Sequence, residues 1–159
     1  MVMVREVKAD EWELVRDVRL AALHEAPYAF GSSYTREAQF TEEQWRGRFS
    51  SRSVTFLAEL PDGAEPVGLA GVYEDDGMAD LVSMWVRPTA RGLGVGAALV
   101  TAAADWAKAR DHDTLYLWVT ESNPAAVGLY RRCGFIPTGE RQPLPSDPSL
   151  PEIRMRREV

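Results

Sequence analysis

Residues 91–97 read Arg-Gly-Leu-Gly-Val-Gly-Ala and lie between an apolar run ending at Val86 and a long helix-periodic segment. Glycines at alternate positions let a backbone turn sharply and come close to a ligand. The helix that follows opens with unpaired N–H groups and the positive end of its dipole, which together attract an anion. Strand, glycine turn and helix start therefore predict a cradle for a diphosphate, with Arg91 adding charge at the rim. The plain structural alternative is a tight strand-to-helix turn that binds nothing.

Gly92, Gly94 and Ala97 also satisfy, loosely, the dinucleotide pattern G-x-G-x-x-G/A. Three features weigh against a nicotinamide or flavin fold. The loop lies past mid-chain, residues 87–91 separate strand from glycines, and too little chain follows for a second mononucleotide half. A P-loop is excluded, because no Gly-Lys-Ser or Gly-Lys-Thr occurs.

The elements around the loop fit one α/β (α+β) domain over residues 1–159, a length suited to a single core. A strand is predicted at 2–7. A helix follows to about His24, started by Asp10 with Glu13 and carrying Trp12, Val15, Val18, Ala22 and Leu23 at helical spacing. Pro27 and Gly31 break it into a loop with Tyr28, Phe30 and Tyr34, and Thr41 begins a second helical segment. Runs at 54–60, 66–73 and 80–86, parted by Pro61-Asp62-Gly63 and Asp75-Asp76-Gly77, predict an antiparallel meander. Helix at 93–110, strand at 115–120 and short helix at 124–133 complete the pattern. Four prolines make 142–151 read as a loop, with a last strand over 152–159.

The cradle is part of a larger pattern. Val86-x-Pro88-x-x-Arg91-Gly92-x-Gly94-x-Gly96 resembles the acetyl-CoA signature of the GNAT N-acetyltransferase superfamily. Downstream, Asn123-x-x-Ala126-x-x-x-Tyr130-x-x-x-Gly134-Phe135 is similar to that superfamily's second cofactor motif. The resemblance implies a mixed, mostly antiparallel sheet flanked by helices, with a splay between the strands near 81–86 and 115–120 that admits the pantetheine arm. It implies acetyl-CoA as cosubstrate, held by Trp85 and Val86 on the first strand, by Arg91, Gly92, Leu93, Gly94, Val95, Gly96 and Ala97, and by Asn123, Ala126 and Tyr130. Acceptor contacts would come from Phe30 and Ser33 in the loop and from Trp85 and Trp118 on the splayed strands. A homodimer is also implied.

The chemistry is attack of a neutral amine on a thioester. A primary amine with a pKa of about 10 is mostly ammonium at neutral pH, so a base must remove its proton, and the departing thiolate needs an acid. Tyr130 matches the family tyrosine for the acid. For the base, the strand over 81–86 reads Leu-Val-Ser-Met-Trp-Val and holds no carboxylate; Glu74, Glu121 or a water chain are the candidates. A protein that keeps the cradle without turnover, an acyl-CoA-binding regulatory module, is the competing class.

Charge and cysteine usage narrow the partners. Eighteen basic against 24 acidic residues leave a net charge of -6, which argues against a nucleic-acid binder and mildly favours a cationic acceptor. Cys133 is the sole cysteine, so no intrachain disulfide forms and a reducing, cytoplasmic setting is expected; its place before Gly134 reads as packing rather than as a nucleophile. Residues 1–10 lack the apolar core of a signal peptide, 97–107 are too short to span a bilayer, and His24 and His112 are too isolated to suggest a metal site.

Overall fold

Asp76 and Gly77 take φ of 52° and 75°, the geometry of a two-residue primed hairpin turn, and join β3 (Gly68–Asp75) to β4 (Met78–Val86). This hairpin is the middle of a seven-stranded sheet in the computed structural model, which describes residues 1–63 and 65–159. The other strands are β1 (Met3–Val7), β2 (Ser53–Glu59), β5 (Thr114–Thr120), β6 (Ile136–Leu144) and β7 (Asp147–Glu158). Their order is β1-β2-β3-β4-β5-β7-β6. Only β4 and β5 run parallel, as the helical crossover between them requires.

That parallel pair is short. Ala79 faces Leu115, Asp80 faces Tyr116 and Leu81 faces Leu117, and there the pairing stops. Val82 to Val86 stay paired with β3 on their other side, while β5 continues on β7 through Thr120 opposite Glu152. The sheet therefore opens between β4 and β5 beyond Leu81. A bulge accompanies the opening: Leu69 pairs with Trp85 but Gly71 with Val82, and Ser83 within it has φ of 60°. An extra residue bends a strand and increases its twist, which turns β4 away from β5.

Helices cover both faces. On one lie α4 (Val95–Ala109) and α5 (Pro124–Arg132), packed through Leu99, Ala103, Ala107 and Tyr130 against Leu81, Leu117, Val119 and Met155. On the other lies α1 (Trp12–Glu25), whose Val15, Val18, Ala22 and Leu23 pack on Leu57, Leu69, Trp85 and Phe30. Two short helices, α2 (Tyr34–Glu37) and α3 (Glu42–Arg46), follow it. Thr41 and Gln44 form the capping box of α3, bonding each other's backbone N–H at 3.2 and 2.8 Å.

Three expectations need correction. The proline-rich stretch 142–151 is not a loop, because β6 and β7 form a hairpin across it. Pro143 stands opposite Pro151, whose carbonyl turns away toward β5 and accepts from Glu121 N at 2.9 Å. The two prolines thus meet where β6 and β7 exchange no hydrogen bonds, and β6 is an edge strand, so their missing N–H groups leave the ladder intact. Asp10 does not cap α1; a 3-10 turn at Ala9–Glu11 precedes it, and Glu11 at the cap position bonds Arg5 instead, at 2.9 Å. The loop after α1 contains α2, capped by Ser33, which accepts from Arg36 N at 3.2 Å. Among the described residues no helix is long and apolar enough to cross a membrane.

Candidate functional site

The cradle lies at the mouth of the opening. Gly92 and Gly94 have φ of 82° and 83°, a conformation in which a side chain is strained, and a Cβ added to either would meet nothing within 4 Å. Gly94 caps α4, whose first hydrogen bond runs from Ala98 N to the Gly94 carbonyl at 3.0 Å. The N–H groups of Val95, Gly96 and Ala97 precede that bond and have no intrahelical partner. Gly96 serves packing as well, since a Cβ there would come within 2.8 Å of Leu129 on α5. Leu93 and Ala97 are exposed and Val95 is buried. This set of backbone donors in open space suits a diphosphate.

Arg91 is engaged at the rim. Its Nε donates to the Val86 carbonyl at 3.1 Å and its guanidinium donates to Glu25 at 2.6 Å. The same Glu25 oxygen accepts from the Trp85 indole at 2.9 Å. Trp85 is 4% exposed and belongs to the α1-side core, so the structure does not bring its ring to an open wall; a strand residue between Leu69 and α1 has nowhere else to put an indole. Glu25, at the C-terminal end of α1, had no signal in the sequence for joining the glycine loop to the core.

Tyr130 stands on the α5 side with its ring buried against Phe135, centroids 5.7 Å apart. Among the described residues its hydroxyl has no hydrogen-bond partner, and the one sealed side-chain polar atom without a partner there is Arg87 Nε. The phenol oxygen is therefore not completely sealed. Burial, with a smaller push from Cys133, raises the phenol above its ordinary value, so it stays protonated through neutral pH. Asn123 caps α5 by accepting from Ala126 N at 3.3 Å, which fixes both residues at the end of β5. Cys133 is half-buried at the other end of α5, and burial raises its thiol too, away from the reactive thiolate.

The opposite face of the open strands has its own polar floor. Arg154 donates to Asp80 at 2.5 Å and lies over the rings of Tyr116 and Trp118, at 4.8 and 5.2 Å. Thr120 Oγ1 donates to the Tyr28 carbonyl at 2.7 Å, and Ser146 Oγ to the Phe30 carbonyl at 2.6 Å, so the loop after α1 is fastened to both β5 and the β6–β7 turn. Trp118 is half-buried on this floor, whereas Phe30 is 4% exposed beneath Arg19. Arg19 also makes two 3.0 Å bonds to the fully buried Glu37 and donates to Ser83 Oγ at 2.6 Å, tying α1 and α2 to the bulge.

The two base candidates part company. Glu74 lies at the closed end of β4, opposite Ala79, and is gripped by Arg110 at 2.5 Å and His112 at 2.6 Å. Arg110 first, then His112, holds its carboxyl down at about 2. The structure does not bring it to the opening. Glu121 follows β5 and is exposed, paired with Arg141. A third carboxylate, Glu152, stands on β7 opposite Thr120, one strand removed from the opening, 7% exposed and hydrogen-bonded by Gln142 at 2.6 Å. Alternation in Glu152-Ile-Arg-Met marks it as facing away from Ile153 and Met155, but the neighbour that makes this matter, Thr120, is far away in sequence.

A family model of the acetyltransferase (GNAT) family matches residues 17–135. The chain belongs to that family. Among its curated GNAT-type relatives, a streptothricin acetyltransferase of Streptomyces lavendulae is 46% identical over 85 residues, covering 52% of this chain and 44% of that protein. A mycothiol acetyltransferase of Stackebrandtia nassauensis is 43% identical over 61 residues, covering 38% of this chain and 20% of its own length. The chain thus spans less than half of either relative. A GNAT structure from Kribbella flavida covers 99% of this chain and 98% of its own, with 26% identity and a TM-score of 0.73. The mostly antiparallel sheet opened at β4 and β5 is the GNAT fold.

Proposed function

We propose that this chain transfers an acetyl group from acetyl-CoA to a primary amine by direct attack in a ternary complex. The observation that carries this reading is the opening of β4 from β5 after Leu81 and Leu117, with the unpaired N–H groups of Val95, Gly96 and Ala97 at its mouth. The diphosphate would rest on those groups and on Gly92, Leu93 and Gly94, and Arg91 would exchange Glu25 for phosphate. Val86 would offer its carbonyl to a pantetheine amide once Arg91 releases it, with Asn123 and Ala126 lining the opposite wall. An open depression of about 610 Å³, lined by Ala97 and Thr101 with Arg132 and Arg157, borders the cradle and suits the phosphorylated nucleotide end. When bound, acetyl-CoA supplies the activated acyl carbon. The chain's own residues orient it, exclude water and handle protons.

Tyr130 stands on α5, on the same side of the sheet as the cradle, and its hydroxyl would donate to the sulfur as it departs. Trp118 and the loop carrying Phe30 would border the acceptor, with Ser33 acting through its cap on α2. The net charge of -6 and the likeness to a streptothricin acetyltransferase support a cationic small-molecule or peptide amine. The same reading takes residues 1–159 as one cytoplasmic domain, acting alone or as a homodimer, without nucleic acid, membrane or metal.

The test is calorimetric binding of acetyl-CoA together with coenzyme A release over a panel of amines that includes streptothricin and spermidine. Gly94→Glu, which sets a bulky anion against the diphosphate, is expected to weaken acetyl-CoA binding by roughly 100-fold or more, given that each 1.4 kcal/mol is tenfold. Unchanged affinity sinks the cradle assignment. Tight binding with no release above background across the panel would support the regulatory module instead.

A further inference from the structure

The opened part of β4, Leu81 to Val86, carries no carboxylate, but one stands on β7, on the far side of β5. Glu152 stands on β7 opposite Thr120, three residues past Leu117, where β4 and β5 last touch. Ile153 and Met155 pack with the α4 side, so alternation sends Glu152 and Arg154 to the α1 face, with Trp118 and Thr120. Its Oε1 accepts from Gln142 Nε2 at 2.6 Å. Oε2 has no hydrogen-bond partner among the described residues and is not sealed, for the reason given for the Tyr130 hydroxyl. Thr120, its cross-strand neighbour, is bonded to Tyr28, so the carboxylate adjoins the loop that borders the acceptor side. A mostly buried carboxylate with one oxygen anchored and the other unpartnered can accept a proton in a fixed direction.

We propose that Glu152 is the base that takes the proton from the acceptor ammonium, directly or through one water. This rests on the acetyltransferase reading. Of the two protons the nitrogen sheds, the first passes to Glu152 and on to solvent. The nitrogen lone pair then forms the C–N bond, the C–S bond breaks with its electron pair on sulfur, and the second proton replaces the acetyl group there. Acid and base thus lie on opposite faces, Tyr130 with α5 and Glu152 with α1. Burial raises the Glu152 carboxyl above its ordinary range, which brings it closer to the amine it must deprotonate. The groups that face it are Arg154 on its own strand, which is itself paired with Asp80 on β4, and Gln142 on β6, while the Glu121–Arg141 pair beyond the end of β5 falls on the other face by alternation.

Glu152→Gln keeps the shape and the acceptor for Gln142. With streptothricin and spermidine as probes at saturating acetyl-CoA, coenzyme A release at pH 7 is expected to fall by roughly 100-fold or more. Acetyl-CoA affinity should be unchanged, and the deficit should narrow toward pH of about 10, where the amine sheds its own proton. A variant rate within a few-fold of the parent at pH 7, or a deficit constant from pH 7 to 10, overturns the assignment alone. No release by the parent protein with any amine of the panel overturns the acetyltransferase reading, and the assignment with it.

Discussion

Glu74 illustrates how a carboxylate is removed from chemistry by its neighbours. Arg110 and His112 occupy both oxygens, and the carboxyl is lowered from its ordinary 4.5 to about 2. A depressed folded value means the unfolded chain binds the proton more readily. The contribution to stability is therefore complete above about pH 4.5 and is lost as pH falls toward about 2. Urea melts between pH 2 and 6 should show less acid destabilisation for Glu74→Gln than for the parent, while coenzyme A release at pH 7 stays unchanged. A large loss of turnover would return Glu74 to the list of bases. In the sequence Glu74 and Glu121 were visible only as carboxylates near strand ends. The end of β4 that opens is the one carrying the Ser83 bulge, and Ser83 carries no residue-level sign of its positive φ. The glycine cradle was legible for the opposite reason: only glycine takes φ near 83° there without strain, so the constraint is written in the residue type.

At the scale of elements, the cradle is held by close approach of a strand to a helix. A Cβ at Gly68 on β3 would lie 2.9 Å from Val95 Cγ1, 3.0 Å from Leu99 Cδ1 and 3.2 Å from the Trp85 carbonyl. Gly68→Ala must push the first turn of α4 outward, and overpacking of this kind costs about 1–3 kcal/mol. Because Val95 is the residue displaced, acetyl-CoA affinity should drop together with stability, read by chemical denaturation and calorimetry on the same variant. Loss of stability with affinity intact would show that the cradle tolerates a shifted helix. Most elements were legible from period and turn chemistry, which are local. The β6–β7 hairpin was not, because whether a proline breaks a strand depends on the side its nitrogen faces, and that is fixed only when β7 lies against β5.

Across the whole molecule, one buried network joins the two halves of the site. Arg19 on α1 binds Glu37 on α2 and Ser83 in the β4 bulge, and Arg48 adds a second contact to Glu37 at 3.1 Å. Arg19→Met leaves a fully buried carboxylate short of a partner and a strained bulge without support; removing one member of a buried pair costs about 3–5 kcal/mol. The expected result is a loss of that size in urea denaturation, accompanied by a higher KM for the amine, since the loop after α1 rests on the same residues. A stability loss below about 1 kcal/mol would mean that Arg48 alone satisfies Glu37.

A gap between two strands can be approached from either face of the sheet, which a surface cleft cannot. In the proposed reaction coenzyme A enters and leaves by the face beside α4 and α5, while the amine and its amide use the one beneath the loop after α1. On that reading neither would have to pass the other, and the two products would depart in either order.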